Sequence, residues 1–253
     1  MSLHVALWGT SGAPILFVHG SVNNGESTWA LQRPLSKRYR LYVMDRRGYY
    51  PNPPVDREDF EVDAGDVADL LGSNGPGGMH LVGHSYGGVV SLLAAARRPD
   101  HVRSLTVIEP PAFGVAAGEP EMRAYIDGVE AYWADGPRDP AAFLAGFLQL
   151  VGAAPSLPDP LPPPLLQAAT LLMVERSPAE AQIPLHELRR ATFPKLVVSG
   201  GHSAAFDRVC DVLADAMGAQ RAVITGAQLG VPRAGVPFND RLQAFVDHAE
   251  RGR

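Results

Sequence analysis

The chain has 253 residues, of which 46% are hydrophobic and 19% charged, and its net charge is −5. No cluster of Lys or Arg is present, which argues against a nucleic-acid partner because binding to a phosphate backbone depends on concentrated positive charge. No segment approaches the roughly 18 apolar residues that cross a bilayer, and the N-terminus lacks a basic start followed by an apolar core. We therefore expect a cytoplasmic protein with no membrane association. The single cysteine, Cys210, excludes a disulfide within the chain.

Short apolar runs alternate with helical patterns, which is typical of a sheet built from repeated β-strand and α-helix units. The predicted strands are residues 3–8, 15–18, 39–44, 79–82, 104–108, 195–198 and 221–225, the first as an edge strand. The predicted helices of the same region are residues 59–71, 89–98, 205–217 and 239–250. The fold class that follows is α/β, with a mostly parallel, twisted sheet and helices on both faces.

The alternation breaks after strand 104–108, because the chain up to residue 195 contains no convincing strand. Helical patterns occur instead at residues 121–133, 141–151, 165–176 and 184–190, with a proline-rich stretch at residues 155–164. We interpret residues 111–190 as a helical cap inserted over the C-terminal edge of the sheet. Residues 1–110 and 191–253 then form the core. An ordinary long crossover with two helices is the alternative.

The sequence GHSYGG at residues 83–88 follows one predicted strand and precedes a predicted helix. A serine between glycines at such a turn is typical of a nucleophile elbow, in which a strained backbone projects the serine hydroxyl. Ser85 is therefore the candidate nucleophile. The Tyr86 N–H, at the start of the helix, is a candidate hydrogen-bond donor to an oxyanion. A tight glycine turn with an incidental serine is the alternative.

The sequence HGSV at residues 19–22 follows the strand predicted at residues 15–18. Gly20 permits a turn after which the N–H of Ser21 or Val22 can supply a second oxyanion donor. No pair of histidines has the spacing of metal ligands, so we expect neither a metal nor another cofactor.

Three strand-and-turn motifs in this order, with HG at residues 19–20, DRRGY at 45–49 and GHSYGG at 83–88, resemble the α/β-hydrolase superfamily. The resemblance extends over nearly the whole chain. It implies that Ser85 is the nucleophile, that the Tyr86 N–H and the Ser21 region form an oxyanion hole, and that the pocket lies between sheet and cap. The candidate pocket residues are His19, His84, Trp133, Phe143 and Leu229, although simple packing of the cap helices is the alternative for the aromatic ones. The catalytic residues of the family follow the chain order serine, acid, histidine.

The acid departs from the usual pattern of this family. It usually follows the strand predicted here at residues 195–198, but this sequence has GGHS at residues 200–203, with Ser203 at the expected carboxylate position. A less common arrangement places the acid one strand earlier, and Glu109, which follows strand 104–108, fits it. A surface glutamate at a strand end is the alternative for Glu109, and Asp207 is a weaker candidate acid.

The catalytic histidine is the more serious departure. Family members carry it in the loop after the last strand, where the sequence GAQLGVP at residues 226–232 places Leu229. Leucine can neither accept a proton from Ser85 nor donate one to a leaving group. Among the eight histidines, His202 is the best candidate for a replacement base, because it follows a strand at the edge where open α/β sheets place their sites. A loop histidine without a catalytic role is the alternative.

The favoured function is a hydrolase of the serine esterase or lactonase class, acting on a small hydrophobic ester, thioester or lactone. Removing one member of a serine–histidine–acid unit typically lowers kcat about 10⁴–10⁶-fold, so two other functions stay open. The same pocket can serve lyase, cyclisation, rearrangement or carbon–carbon bond chemistry, or it can bind a small molecule without catalysis. We expect a small hydrophobic molecule as the partner and a monomer or homodimer as the assembly.

Overall fold

A computed structural model describes residues 3–75, 77–153, 156–226 and 230–252. Seven strands form one sheet in the order β1-β3-β2-β4-β5-β6-β7. The strands are β1 (Val5–Trp8), β2 (Pro14–Val18), β3 (Arg40–Met44), β4 (Met79–His84), β5 (Val102–Ile108), β6 (Lys195–Ser199) and β7 (Gln220–Val223). Only the edge strand β1 pairs antiparallel, and every other pairing is parallel. The mostly parallel sheet predicted from the alternating pattern is therefore confirmed.

Nine α-helices occur in the described ranges. They are α1 (Gly25–Trp29), α2 (Phe60–Ser73), α3 (Tyr86–Arg97), α4 (Pro120–Asp135), α5 (Pro140–Leu150), α6 (Pro163–Leu172), α7 (Leu185–Arg190), α8 (Ala204–Met217) and α9 (Val236–Arg251). None of these helices is long and apolar enough to cross a membrane.

Both faces of the sheet are buried, which explains why a central strand such as β2 is apolar at every position. Successive residues of a strand point to opposite faces, so in β2 Leu16 and Val18 pack on one side while Ile15 and Phe17 pack on the other. Helices α2, α3 and α8 cover the first side. Helices α1 and α9 cover the second.

The differences between prediction and structure lie at the ends of elements and in two short helices. The last strand ends at Val223, two residues before the predicted end, and α6 ends at Leu172, four residues before its predicted end. Helix α1 and the 3₁₀ helix Ala30–Lys37 were not predicted. Local sequence patterns define such ends poorly, because the last turn of a helix depends on its tertiary contacts.

Between β5 and β6 the described chain contains helices α4–α7 and no strand beyond an isolated bridge between Glu58 and Glu175. Helices α5 and α6 share a small apolar core of their own around Leu144 and Leu172. This helical segment lies on the side of the sheet where the strands end, and its contacts there define the cavities described below.

Candidate active site

Three non-glycine residues in the described chain have a positive φ, and all three follow neighbouring strands of the sheet. Val22 (φ 78°) follows β2, Ser85 (φ 53°) follows β4 and Glu109 (φ 47°) follows β5. Such a backbone costs about 1–3 kcal/mol per residue and is concentrated at functional sites. The strain therefore locates a candidate site at the carboxyl edge of the sheet, where α/β folds bind their ligands.

Ser85 occupies the turn between β4 and α3. Its N–H donates to the carbonyl oxygen of Ile108 at 2.8 Å, and its carbonyl oxygen accepts from the N–H of Gly88 at 2.7 Å. These bonds hold the turn between two neighbouring strands and the first turn of the helix. The Tyr86 N–H has no acceptor within the helix because it belongs to the first helical residue. The Ser85 hydroxyl makes no hydrogen bond with any described residue.

Two glycines allow the loop after β2 to contact this turn. A β-carbon on Gly87 would lie 2.3 Å from the carbonyl oxygen of His19, and one on Gly20 would lie 2.7 Å from the β-carbon of Ser85. Neither distance is compatible with a side chain. The two glycines therefore bring Ser21 and its neighbours directly beside the candidate nucleophile.

The loop after β2 ends in a γ-turn centred on Val22. The Asn23 N–H donates to the carbonyl oxygen of Ser21 at 3.0 Å, while Val22 has the positive φ of that turn. The Val22 backbone interacts with the Tyr49 hydroxyl and offsets a small part of the rise in the Tyr49 pKa that burial causes. The Ser21 N–H has no backbone acceptor in the described chain. Of the two donors predicted for the second oxyanion position, Ser21 is thus the unengaged one.

His19 is fully buried and holds this loop instead of lining the pocket, which corrects its predicted position. Its Nε2 accepts from the Arg46 N–H at 2.9 Å, so the proton is on Nδ1, which donates to the Gly20 carbonyl oxygen at 2.7 Å. Burial and the nearby Arg46 charge lower the pKa of His19 well below its usual range. The ring is therefore neutral and both of its nitrogens are satisfied.

The buried Arg46 side chain stabilises the same loop. Its buried guanidinium donates to the carbonyl oxygens of His19 and Gly20, each at 3.0 Å, and forms ion pairs with Glu58 and Asp63. The rings of Tyr49 and Tyr86 lie on either side of it, at 4.8 and 4.7 Å from the guanidinium carbon. The DRRGY segment thus supplies a buried cation next to the site.

Glu109 and His202 meet at the ends of β5 and β6. The Glu109 carboxyl has no exposed surface, and its Oε1 accepts from the Gly200 N–H at 2.8 Å. Burial raises its pKa to about 8, and this N–H offsets only part of the increase. His202 Nδ1 lies 3.1 Å from Glu109 Oε1, within ion-pair distance, although neither ring nitrogen makes an aligned hydrogen bond to a described residue. No group of three metal-ligating side chains occurs within the described ranges.

The predicted nucleophile and the predicted base are not joined. No hydrogen bond links Ser85 to His202, whose ring stacks on Phe206 with 6.2 Å between ring centres. His202 also lies outside the lining of both cavities that reach Ser85. The structure therefore brings Glu109 and His202 together, and no hydrogen bond connects either of them to Ser85.

The larger of the two cavities at Ser85 has a volume of about 400 Å³ and opens to solvent. Its apolar wall comes from α5 and α6 and the segment between them, including Phe147, Leu157 and Leu165. His84 lines this cavity, and burial and the charge of Arg233 lower its pKa to about 3. Arg233, at the rim, makes no ion pair with any described residue. The cavity is therefore largely apolar, with a single cation at its edge.

A smaller cavity of about 30 Å³ lies on another side of Ser85. Trp133 contributes to its wall, and its indole N–H donates to the carbonyl oxygen of Leu172 at 3.2 Å. The polar groups of this cavity are the side chains of Ser21, Ser85 and Glu175.

Comparison with known proteins decides the family. The model of the family described as alpha/beta hydrolase fold matches residues 13–214. The chain belongs to this family. Its sheet, with helices on both faces and a serine turn after β4, has the architecture expected of an α/β hydrolase.

The relatives of this α/β hydrolase include several hydrolases. The serine hydrolase BPHL of Mus musculus is 32% identical over 153 residues, which cover 57% of this chain and 51% of that protein. The pimeloyl-[acyl-carrier protein] methyl ester esterase of Chromobacterium violaceum is 34% identical over 166 residues, or 64% of this chain and 62% of that protein. The chain spans about half the length of the first curated relatives it matches. A solved thermophilic esterase of Thermogutta terrifontis superposes with a TM-score of 0.69 at 22% identity, covering 98% of this chain and 93% of that one.

One predicted pocket residue of this α/β hydrolase, Phe143, does not line either cavity that reaches Ser85. Phe143 is 2% exposed and packs against Leu144 and Ala169 in the core shared by α5 and α6, so its predicted pocket position is corrected. The spacing of an aromatic residue on a helix does not distinguish packing within the cap from exposure to the pocket. Leu229 lies outside the described residues.

Glu175 is the residue that the sequence did not indicate. It was predicted to lie within a helix, but α6 ends at Leu172 and Glu175 pairs with Glu58 in an isolated bridge. Its carboxylate is thereby directed into the site, where it accepts a hydrogen bond from the Ser21 hydroxyl. The only sequence signal was a lone acid directly after an apolar run, which is common at helix ends.

Proposed function

We propose that this α/β hydrolase is a serine hydrolase that cleaves a small hydrophobic ester, thioester or lactone through Ser85. The observation that carries the proposal is the backbone of Ser85, which has a φ of 53° and presents an unbonded hydroxyl to two cavities. A turn without a function at this position would favour glycine, which adopts a positive φ without strain. The hydrolases among the relatives favour the same class of reaction.

The proposed oxyanion hole consists of the N–H groups of Tyr86 and Ser21. Both lack backbone acceptors, and both belong to segments that the close approach of Gly20 and Gly87 holds beside Ser85. When the Ser85 oxygen attacks a carbonyl carbon, the carbonyl oxygen gains negative charge that these donors stabilise. One such donor is typically worth about 3–4 kcal/mol of transition-state stabilisation.

The dimensions of the larger cavity support a small hydrophobic substrate. About 400 Å³ is within the range of cavities that hold small molecules. Its wall of leucine, phenylalanine and proline side chains favours an apolar acyl or alcohol group. This cavity opens to solvent beside Ser85, so a substrate carbonyl has access to the hydroxyl.

Glu109 and His202 form the proposed acid and base of acylation. At neutral pH burial favours the protonated form of the Glu109 carboxyl, and a positive charge developing on His202 at 3.1 Å would draw that carboxyl toward its ionised form. Because His202 makes no hydrogen bond with Ser85 here, its role requires the ring to leave its place on Phe206. Catalysis through this pair is therefore expected to be slow.

Labelling with a fluorophosphonate probe tests the proposal. We expect covalent labelling at Ser85, located by peptide mass spectrometry, together with hydrolysis of a short-chain p-nitrophenyl ester, an acyl thioester or a lactone. The variant Ser85→Ala should lose both. A folded protein that resists labelling and hydrolyses none of the three substrates would refute the proposal, and ligand binding without turnover would then favour a binding protein.

A further inference from the structure

Glu175 holds a carboxylate at the side of Ser85 in a fixed orientation. It is 6% exposed, and the Ser21 hydroxyl donates to its Oε2 at 2.5 Å. Ser21 belongs to the loop that contacts Ser85 through Gly20. The position of the carboxylate is therefore determined relative to the nucleophile by two structural elements, the strand-like segment paired with Glu58 and the loop after β2.

The small cavity between these groups fits one water molecule. Its volume of about 30 Å³ exceeds the roughly 10–15 Å³ that a buried water requires. Such a water needs two to four polar partners, and the cavity supplies the hydroxyls of Ser21 and Ser85 and the carboxylate of Glu175. The rest of the wall is apolar, so a water there is oriented by these three groups.

The charges around Glu175 favour a carboxyl that exchanges protons near neutral pH. Burial raises its pKa, while the Arg46 guanidinium and the Ser21 hydroxyl lower it and the buried Asp63 raises it again. Arg46 directs its donors to Glu58, Asp63 and two carbonyl oxygens, and no cation of the described chain forms an ion pair with Glu175. A group with this balance accepts and returns protons efficiently, since the best general base has a pKa close to the working pH.

We propose that Glu175 is a further catalytic residue, the general base that activates a water in the small cavity against an acyl ester of Ser85. The inference rests on the proposed function of Ser85. The water oxygen attacks the acyl carbonyl carbon and its proton passes to the Glu175 carboxylate. The tetrahedral intermediate then collapses, the bond to the Ser85 oxygen breaks, and Glu175 returns the proton to that oxygen. The products are the free acid and the original enzyme.

This assignment separates the two halves of the reaction. Glu109 and His202 lie outside the small cavity, whereas Glu175 and Ser85 share it. No imidazole nitrogen of the described chain is hydrogen-bonded to Ser85, and position 229 of the sequence is Leu. If the Glu175 carboxylate takes the proton of the hydrolytic water, deacylation does not require a nitrogen base.

Rapid-mixing kinetics with p-nitrophenyl acetate, combined with mass spectrometry of the intact protein, tests the inference in Glu175→Gln. Glutamine keeps the size of the side chain and an oxygen that accepts from Ser21, but it cannot take a proton. We expect a burst of p-nitrophenol close to one equivalent, followed by a steady rate lowered at least about 10²-fold, with acetyl-Ser85 accumulating. The matched control is Glu180→Gln, which removes an exposed carboxylate near Glu175 in the chain and should keep wild-type kinetics.

Deacylation of Glu175→Gln at the wild-type rate, or an equal fall in acylation and deacylation, would overturn the inference, because a structural role predicts no trapped intermediate. Absence of any acyl-Ser85 in the wild type as well would instead refute the proposed function itself.

If Glu175→Gln does not fold, Ser21→Ala decides the question. Removing the Ser21 donor raises the pKa of Glu175, so deacylation should require a higher pH, and an unshifted pH profile would overturn the inference.

Discussion

The variant Glu109→Gln tests how much the ionisation of this buried carboxyl changes the free energy of unfolding. The carboxyl has no exposed surface, and burial raises its pKa from 4.5 to about 8. Glutamine has nearly the same shape and retains an oxygen that accepts from the Gly200 N–H. It does not ionise, so the variant lacks the titration that the native residue contributes.

The size of the change in stability with pH follows from the linkage between proton binding and folding. A carboxyl with a higher pKa in the folded state binds more protons when folded than when unfolded. Its contribution to stability is therefore complete below pH 4.5 and is lost as the pH rises through about 8. Each pH unit inside that window costs about 1.4 kcal/mol, so the interval from pH 6.5 to 8 costs at most about 2 kcal/mol.

Urea unfolding followed by tryptophan fluorescence at pH 6.5 and pH 8 measures this effect. Below pH 6.5 the lowered pKa values of His19 and His84 make the protein less stable as the pH falls, because protons bind preferentially to these groups in the unfolded chain. We expect the stability of Glu109→Gln relative to wild type to increase by about 1–2 kcal/mol between the two pH values. The exposed-site control Glu180→Gln should show no such change. A difference between Glu109→Gln and wild type that is equal at both pH values would refute the reasoning.

Three further predictions concern the packing and chemistry of the site. Gly87→Ala should destabilise the protein by at least about 2 kcal/mol in urea unfolding, since the added carbon overlaps a carbonyl oxygen. Its control Gly128→Ala, which adds a carbon to helix α4 with nothing within 4 Å, should stabilise it by up to about 1 kcal/mol. Arg46→Met should cost roughly 3–5 kcal/mol in the same assay, because two carboxylates stay buried without their cation; a cost below about 1 kcal/mol would contradict that role. Leu229→His should raise hydrolysis of a p-nitrophenyl ester, and an unchanged rate in the folded variant would show that the last loop is aligned wrongly.

The core of the fold was predictable because its signals are local. A strand buried on both faces is expected to be mostly apolar, and β2 is both apolar and buried at every position. The elbow was recognisable for the same reason, since a serine between glycines at a strand-to-helix boundary has few other uses. Glu109 was indicated by its place after β5, although its complete burial was not.

The directions of the histidine rings could not be predicted from local sequence patterns. A histidine followed by glycine after a strand predicts a ring near the pocket, but the amide of Arg46, distant in sequence, binds the ring of His19 and holds it in the interior. His202 follows the expected strand, yet its ring stacks on Phe206 and makes no contact with Ser85 through a hydrogen bond. The direction of a ring depends on partners that sequence spacing does not reveal.

The sequence by itself determined the α/β class, the order of the motifs, the serine elbow and the absence of histidine at position 229. Each of these depends on residue types, on patterns within single elements and on the order of those elements along the chain. The tertiary structure alone decided which polar groups share a cavity with Ser85. Glu175 is 90 residues distant from it in the chain, and only the bridge to Glu58 and the hydrogen bond from Ser21 bring its carboxylate there. Long-range contacts of this kind are set by how the helical segment packs on the sheet, which no local pattern encodes.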